Sequence, residues 1–327
     1  MPNRPARTIA ILAVGTLAVS TAAPLIKLAQ MPAVAVAGWR CLLCGLIYAA
    51  VRPKELHALR TMGRRDAARL ALGSVLLAAH FALWISAFDH TSYASAVLLL
   101  VMQPVFGALL GMLCLGERHG ARTWIALAGS AGGLALLVRG DLDQPGGLFG
   151  DGLAVAACLT IAFFYLAVRP LRTRYPFAPF MASCYGLAGL LLCAVSIAIG
   201  SPLIGFPDAS WGYLAGLVLI PTVVGHACFN WAIPRVRFFT INLLIVLEPA
   251  IAILLGVAFL DERATPLQLG GGALLGLAVV AGLGGRRPEK EREEAEQPLS
   301  EQPRSEETRS EAHRPKKHRP AENQVRE

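Results

Sequence analysis

The sequence predicts an all-α integral membrane protein of ten transmembrane helices arranged as two inverted five-helix repeats. Three observations carry this expectation. Of the 327 residues, 55% are hydrophobic and only 16% charged, with a mean hydropathy of +0.53, whereas soluble domains average about a quarter charged. Apolar stretches of about 17–25 residues, the length that crosses a bilayer core, recur ten times between short polar breaks. One apolar segment of the first half also returns, largely intact, in the second.

The charges are unevenly placed. Residues 286–327 hold 11 Lys/Arg and 11 Asp/Glu, and the remaining residues hold 19 and 11, so the net charge of +8 belongs entirely to the body. Its basic residues stand singly between apolar runs, with no aromatic-studded basic stripe, which marks cytoplasmic loops and excludes nucleic acid as a partner. Membrane lipid is the partner expected instead. Seven cysteines lie inside apolar runs. Cys41 and Cys44 have CxxC spacing but no strand or turn around them, so they read as small buried hydrophobes and not as a redox or disulfide pair.

The spans are expected near 8–29, 33–51, 67–88, 92–116, 121–138, 150–168, 178–199, 211–233, 238–260 and 265–285. Arg4 and Arg7 before the first apolar run imitate a signal peptide. The second run follows within a few residues, leaving no N-terminal domain to export, so a retained first span after a cytoplasmic segment 1–7 is the better reading. Residues 8–145 then form the first repeat and 146–285 the second. Residues 286–327, rich in Glu, Arg, Lys, Pro, Ser and Gln, cannot bury enough apolar surface to order and are expected to be a disordered cytoplasmic tail.

Orientation follows from Lys/Arg placement. With the N-terminus inside, the inner loops carry Arg52, Lys54, Arg60, Arg64, Arg65, Arg69, Arg118, Arg122, Arg169, Arg172, Arg174, Arg235 and Arg237, whereas the outer loops carry only Arg139 and Arg263. Both termini are therefore expected in the cytoplasm of a bacterial inner membrane.

The repeat is explicit. Residues 98–118, LLLVMQPVFGALLGMLCLGER, align without gaps on residues 243–263, LLIVLEPAIAILLGVAFLDER, with ten of 21 positions identical. Shared leucine means little in lipid. Pro104 with Pro249, Gly111 with Gly256, and Glu117-Arg118 with Glu262-Arg263 mean more, and His80 and His226 fall at nearly the same offset. Five spans is an odd number, so the second half inserts upside down. Inverted halves with a site at their interface are characteristic of secondary transporters.

Ten spans in two halves of five, with an apolar, proline-containing helix ending in Leu115-Gly116-Glu117-Arg118, resemble the drug/metabolite transporter superfamily, EamA family. Lys27 at the end of span one, Trp39-Arg40 opening span two, and His80-Phe81-Ala82-Leu83-Trp84 followed by Thr91-Ser92 look like that family's first repeat. The similarity covers about residues 8–285. It implies export or import of amino acids, other metabolites or toxic compounds, and names no single substrate.

Several residues are candidates for chemistry. Glu248 stands before Pro249 in the middle of span nine, where an ionisable group is costly and faces a cavity or a partner. It reads either as a substrate or proton site or as half of a structural pair with Arg40. The repeat places uncharged Gln103 opposite it. Arg40 lies a third of the way into span two, and both it and Lys27 are placed either to line a cavity or to snorkel to the outer interface. His80 with Trp84, and His226 with Asn230, are four apart and so share helix faces. They read as cavity-lining residues or as hydrogen-bonded packing. Lys27, Glu117, Arg118, Glu262 and Arg263, near helix ends, read as gate closures or as solvated interfacial charges. Gly107-x3-Gly111, Gly212-x3-Gly216 and Gly272-x3-Gly276 permit close helix packing.

No P-loop, GxSxG or HExxH motif occurs, so neither ATP-driven pumping nor common hydrolase chemistry is expected, nor any metal or cofactor. The expected function is secondary transport of a small metabolite, amino-acid-like or another small organic solute, by alternating access, with export as the direction and a proton or sodium ion as the coupling species. A membrane scaffold or sensor, and an intramembrane lipid-acting enzyme, remain as alternatives.

Overall fold

A computed structural model describes residues 4–115, 121–141, 146–232 and 238–283. Glu117, Arg118 and the tail expected to be disordered lie outside the described residues. Within them the chain is helical, with no strand. The helices are α1 (Arg4–Ser20), α2 (Ala22–Ala29), α3 (Ala33–Val51), α4 (Arg64–Ala87), α5 (Tyr93–Leu98), α6 (Gln103–Leu115), α7 (Ala121–Asp141), α8 (Gly147–Arg174), α9 (Phe177–Ala198), α10 (Asp208–Leu217), α11 (His226–Ala232), α12 (Phe238–Leu260) and α13 (Pro266–Leu283).

Among the described residues, seven helical stretches are long and apolar enough to cross a membrane: Ala10–Ala29, Ala33–Val51, Arg64–Ala87, Tyr93–Cys114, Gly147–Arg172, Phe177–Ala198 and Asp208–Trp231. These are spans one to four and six to eight of the sequence. The fifth, ninth and tenth appear as shorter apolar stretches, Trp124–Gly140, Glu248–Leu260 and Pro266–Ala278. Each borders residues outside the description or residues whose side chains are not described.

Proline and hydroxyl chemistry explain why several spans are broken. Lacking an N–H, Pro104 cannot bond back to Leu100, and a tight turn, Leu99–Met102, separates α5 from α6 there. Span eight widens into a π turn, Val218–Gly225, around Pro221, between α10 and α11. In span one, Ser20 Oγ donates to Thr16 O at 2.8 Å and Thr21 Oγ1 to Ala18 O at 2.7 Å, where α1 gives way to α2. Side-chain hydroxyls re-satisfying freed carbonyls make such breaks tolerable in lipid.

The helix pairing repeats itself. α3 packs on α9 and α7 on α13, joining spans two with seven and five with ten. The turn Val218–Gly225 and α11 pack on α1, as α4 packs on α8; α12 packs on α1, as α6 packs on α8. Shifting every span number by five maps the two–seven and five–ten pairings onto themselves and exchanges the members of each of the other two sets. The pairing therefore has the twofold pattern that a duplicated half requires.

Small residues set the closest of these approaches. A Cβ at Gly45 would stand 2.7 Å from the Gly186 Cα, and one at Gly38 would stand 3.0 Å from the Cys193 sulfur, so α3 and α9 run antiparallel, nearly backbone to backbone. Overpacking such a seam costs about 1–3 kcal/mol. Gly45→Val is therefore expected to lower the thermal midpoint of the detergent-solubilised protein. Gly212→Ala, where nothing lies within 4 Å, should leave it in place, and equal midpoints for the two would refute the close seam.

Polar contacts gather at two ends of the helices. At one end, Lys27 Nζ reaches Glu262 Oε1 at 4.0 Å and donates to Phe88 O at 3.4 Å, Thr91 donates to Asp151 at 2.7 Å, and Gln268 Nε2 donates to Ser92 Oγ at 2.7 Å. Trp39 Nε1 also donates there, to Leu203 O at 2.8 Å. At the other end, Asp66 accepts from Arg174 Nη1 at 3.2 Å and from Tyr175 Oη at 3.0 Å, while Arg172 donates to Asn230 O at 3.1 Å. Burial, together with its hydrogen bond to the Asp66 carboxylate, pushes the Tyr175 phenol up from its ordinary value, so this bond keeps its proton at neutral pH.

Candidate functional site: a buried arginine between the halves

Arg40 is 1% exposed. A guanidinium does not rest at that depth without partners, and three elements supply them. From α3, Arg40 Nε donates to Thr222 Oγ1 of the π turn at 2.7 Å, and Nη2 makes a longer contact with His226 Nε2 of α11 at 3.5 Å. The Phe81 ring of α4 lies beneath the guanidinium, 4.3 Å from Cζ to centroid, a desolvated cation–π contact. Nη1 is buried and has no hydrogen-bond partner among the described residues.

The donors impose a direction on the next bond. Arginine only donates, so its contact requires the lone pair on His226 Nε2 and the hydrogen on Nδ1. Nδ1 then donates to Tyr185 Oη of α9 at 2.9 Å. The Tyr185 O–H is left as a donor for a further group.

Glu248 supplies the opposite charge. Arg40 and Glu248 interact electrostatically, without a direct ion pair within 4.0 Å among the described residues. Glu248, His226 and Tyr165 are ringed by protein, yet each keeps accessible surface. Gln103 reaches the Tyr165 hydroxyl, and Glu248 is felt by both Tyr165 and Cys158. On its backbone side, Glu248 O lies 3.3 Å from Ser20 Oγ, the longer arm of a hydroxyl hydrogen shared with Thr16 O, where α12 meets α1.

Arg40, His226 and Glu248, with Gln103 at the edge through Tyr165, are thus brought to one region by the fold. His80 lies within electrostatic reach of Arg40, but its Nδ1 donates to Ala157 O at 2.9 Å, linking α4 to α8. Trp84 stacks on His80 and donates its Nε1 to Ala96 O at 3.0 Å. Asn230 turns its amide back to His226 O at 2.8 Å, and its carbonyl meets Arg172 at the end of the helix. Lys27 and Glu262 face each other at the other end, and Arg263 is exposed. Among the described residues, no three His, Cys, Asp or Glu side chains group as a metal site requires.

A separate groove of about 630 Å³ lies between α12, α13 and the Leu98–Val101 stretch. Its walls, including Pro249, Ile253, Gly272 and Leu277, are apolar. Its lining side chains offer no polar group to orient a solute, as a specific small-molecule site requires, and Glu248 is not among them.

The sequence pattern of the EamA-like transporter family matches twice, over residues 6–139 and 148–283. The chain belongs to the EamA-like transporter family. Among its relatives, an uncharacterized transporter of Archaeoglobus fulgidus is 29% identical over 66% of this chain and 76% of its own length. A probable terminal-alkyne amino-acid exporter of Streptantibioticus cattleyicolor is 30% identical over 62% of this chain and 68% of its own. Protein RarD of Escherichia coli is 26% identical over 59% of this chain and 64% of its own. A solved crystal structure superposes with a TM-score of 0.62 at 21% identity, covering 83% of this chain and 97% of the other. At that identity the likeness establishes the shared fold.

In this EamA-like transporter, sequence reasoning passed over Thr222, Tyr185, Phe81 and Tyr165. A threonine directly after a mid-span proline was the available signal for Thr222. For Tyr185 and Tyr165, a phenol near the middle of an apolar span was the corresponding cue.

Proposed function

We propose that this protein is a secondary transporter that exports a small amino-acid-like solute across a bacterial inner membrane by alternating access. The observation that carries the reading is that Arg40 and Glu248, a base and an acid on different halves, interact electrostatically without a direct ion pair within 4.0 Å among the described residues; in this reading they line the solute's cavity. Two unneutralised charges at that depth are costly. A solute bearing both a carboxylate and an ammonium satisfies each of them at once. Arg40 belongs to span two and Glu248 to span nine, so one bound molecule touches both halves, as a site at a repeat interface should. The relative named as a probable amino-acid exporter is consistent with that chemistry.

In this reading residues 8–145 and 146–285 are five-span halves of opposite orientation, and both termini are cytoplasmic. The Lys27–Glu262 contact closes the outer end. Glu117, Arg118 and Arg263 stand at the related helix ends, and a proton or sodium ion supplies the coupling. Reporter fusions after Arg65 and after Asp208 should register cytoplasm and exterior respectively; two reporters on one side would break the inverted arrangement. The transport reading is tested by reconstituting the full chain in proteoliposomes and measuring uptake of a carbon-14-labelled mixture of the protein L-amino acids. Saturable uptake above protein-free liposomes supports it. No uptake of amino acids together with uptake of labelled monocarboxylates or amines would refute the two-charge solute.

A further inference from the structure

We infer that Thr222 is the positioning residue for Arg40, coupling the cavity's guanidinium to the break in span eight; the substrate side of this inference rests on the transport reading above. The argument begins with Pro221. Without an N–H it leaves Leu217 O, four residues back, without its α-helical donor. The π turn brings the Thr222 N–H, five residues on, to that carbonyl instead, and the carbonyl's second lone pair is open to a side-chain donor. Thr222 Oγ1 is that donor, donating to Leu217 O at 2.8 Å. A hydroxyl has one hydrogen and two lone pairs, so once that hydrogen is committed the oxygen can only accept. Arg40 Nε donates to it at 2.7 Å. The order Arg40, Thr222, Leu217 is therefore directional, and Thr222 is fully buried, so no bulk water competes for either bond.

The same bond fixes which part of Arg40 is left for a ligand. With Nε held by Thr222, Nη2 turned to His226 and Phe81 beneath the plane, the guanidinium cannot rotate about its stem. Of the guanidinium nitrogens, Nη1 is left without a partner among the described residues. An anionic group that takes Nη1 pulls against the Nε bond, and so against the carbonyl that holds the π turn Val218–Gly225 in its widened form. π turns are frequent at functional positions. Ligand at Arg40 and geometry of span eight are in this way one mechanical unit.

The test uses the full chain in lipid nanodiscs, with Thr222→Val, which keeps the shape and removes the hydroxyl, Thr222→Ser, which keeps the hydroxyl, and Arg40→Lys, which keeps the charge and removes Nε–H. Hydrogen exchange at Val218–Gly225 needs no substrate. It should rise about fivefold in Thr222→Val and in Arg40→Lys, and stay near the parent in Thr222→Ser, because both losses loosen the same turn. In proteoliposomes, Thr222→Val should raise KM for the labelled L-amino-acid mixture about tenfold with Vmax little changed, and Thr222→Ser should restore it. A merely structural threonine would change protein yield without splitting KM from Vmax. Unchanged exchange in Arg40→Lys, or a serine variant that behaves like valine, overturns the inference. If the parent protein moves no amino acid, the transport reading falls, and the exchange measurement still decides the Arg40–Thr222 coupling.

Discussion

Arg40→Met is expected to reduce solute transport at least about a hundredfold, because truncating one side of a buried charge interaction costs about 2–5 kcal/mol. The variant removes the donor to Thr222 and to His226 and the Nη1 group that has no partner among the described residues. Removing one partner also leaves Glu248 without its counter-charge, which lowers folded yield. Uptake is therefore read per folded protein, quantified by size-exclusion of the detergent-solubilised protein, and the transport loss should remain. Arg40→Lys should fall between the parent and Arg40→Met, since an ammonium keeps the charge but has neither the fork nor the plane that Thr222, His226 and Phe81 grip. Parent-level uptake by Arg40→Met would remove the arginine from the transport cycle and the two-charge cavity with it.

Glu248→Gln is expected to cut transport at least about tenfold with protein abundance near normal, in keeping with the loss of a charge-assisted contact. Glutamine preserves shape and hydrogen-bonding capacity, and the first repeat already carries Gln103 at the equivalent position, so the fold has a precedent for it. The two readings of Glu248 separate here. A residue that binds an ammonium or a proton loses transport and keeps yield. A residue that merely neutralises Arg40 leaves that charge unbalanced, and yield and thermal stability fall along with activity. A double variant, Arg40→Met with Glu248→Gln, adds a further check. If one solute bridges the two charges, the double loss should be well short of additive, since either single change already breaks the bridge. Full additivity would place the residues in separate tasks.

The sequence by itself determined the class of this protein, because each relevant signal is one-dimensional. Span length follows from bilayer thickness, and the duplicated segment at 98–118 and 243–263 can be read by alignment without a coordinate. Arg40 and Glu248 also stood out from sequence alone, since an ionisable group inside an apolar run is conspicuous wherever it lies. What those charges meet was a different matter. Arg40 and Thr222 are 182 residues apart, and Tyr185 and His226 are 41 apart; periodicity places a residue on a face of its own helix but does not say which helix that face will meet. His80 and Trp84 share a face, as their spacing required, yet they spend their ring N–H groups on Ala157 O and Ala96 O. Asn230 likewise turns back to its own helix. The tertiary structure decided these outcomes. Most buried polar groups find a partner once water is excluded, and the supply of partners is set by which carbonyls the neighbouring helices and their proline breaks leave open.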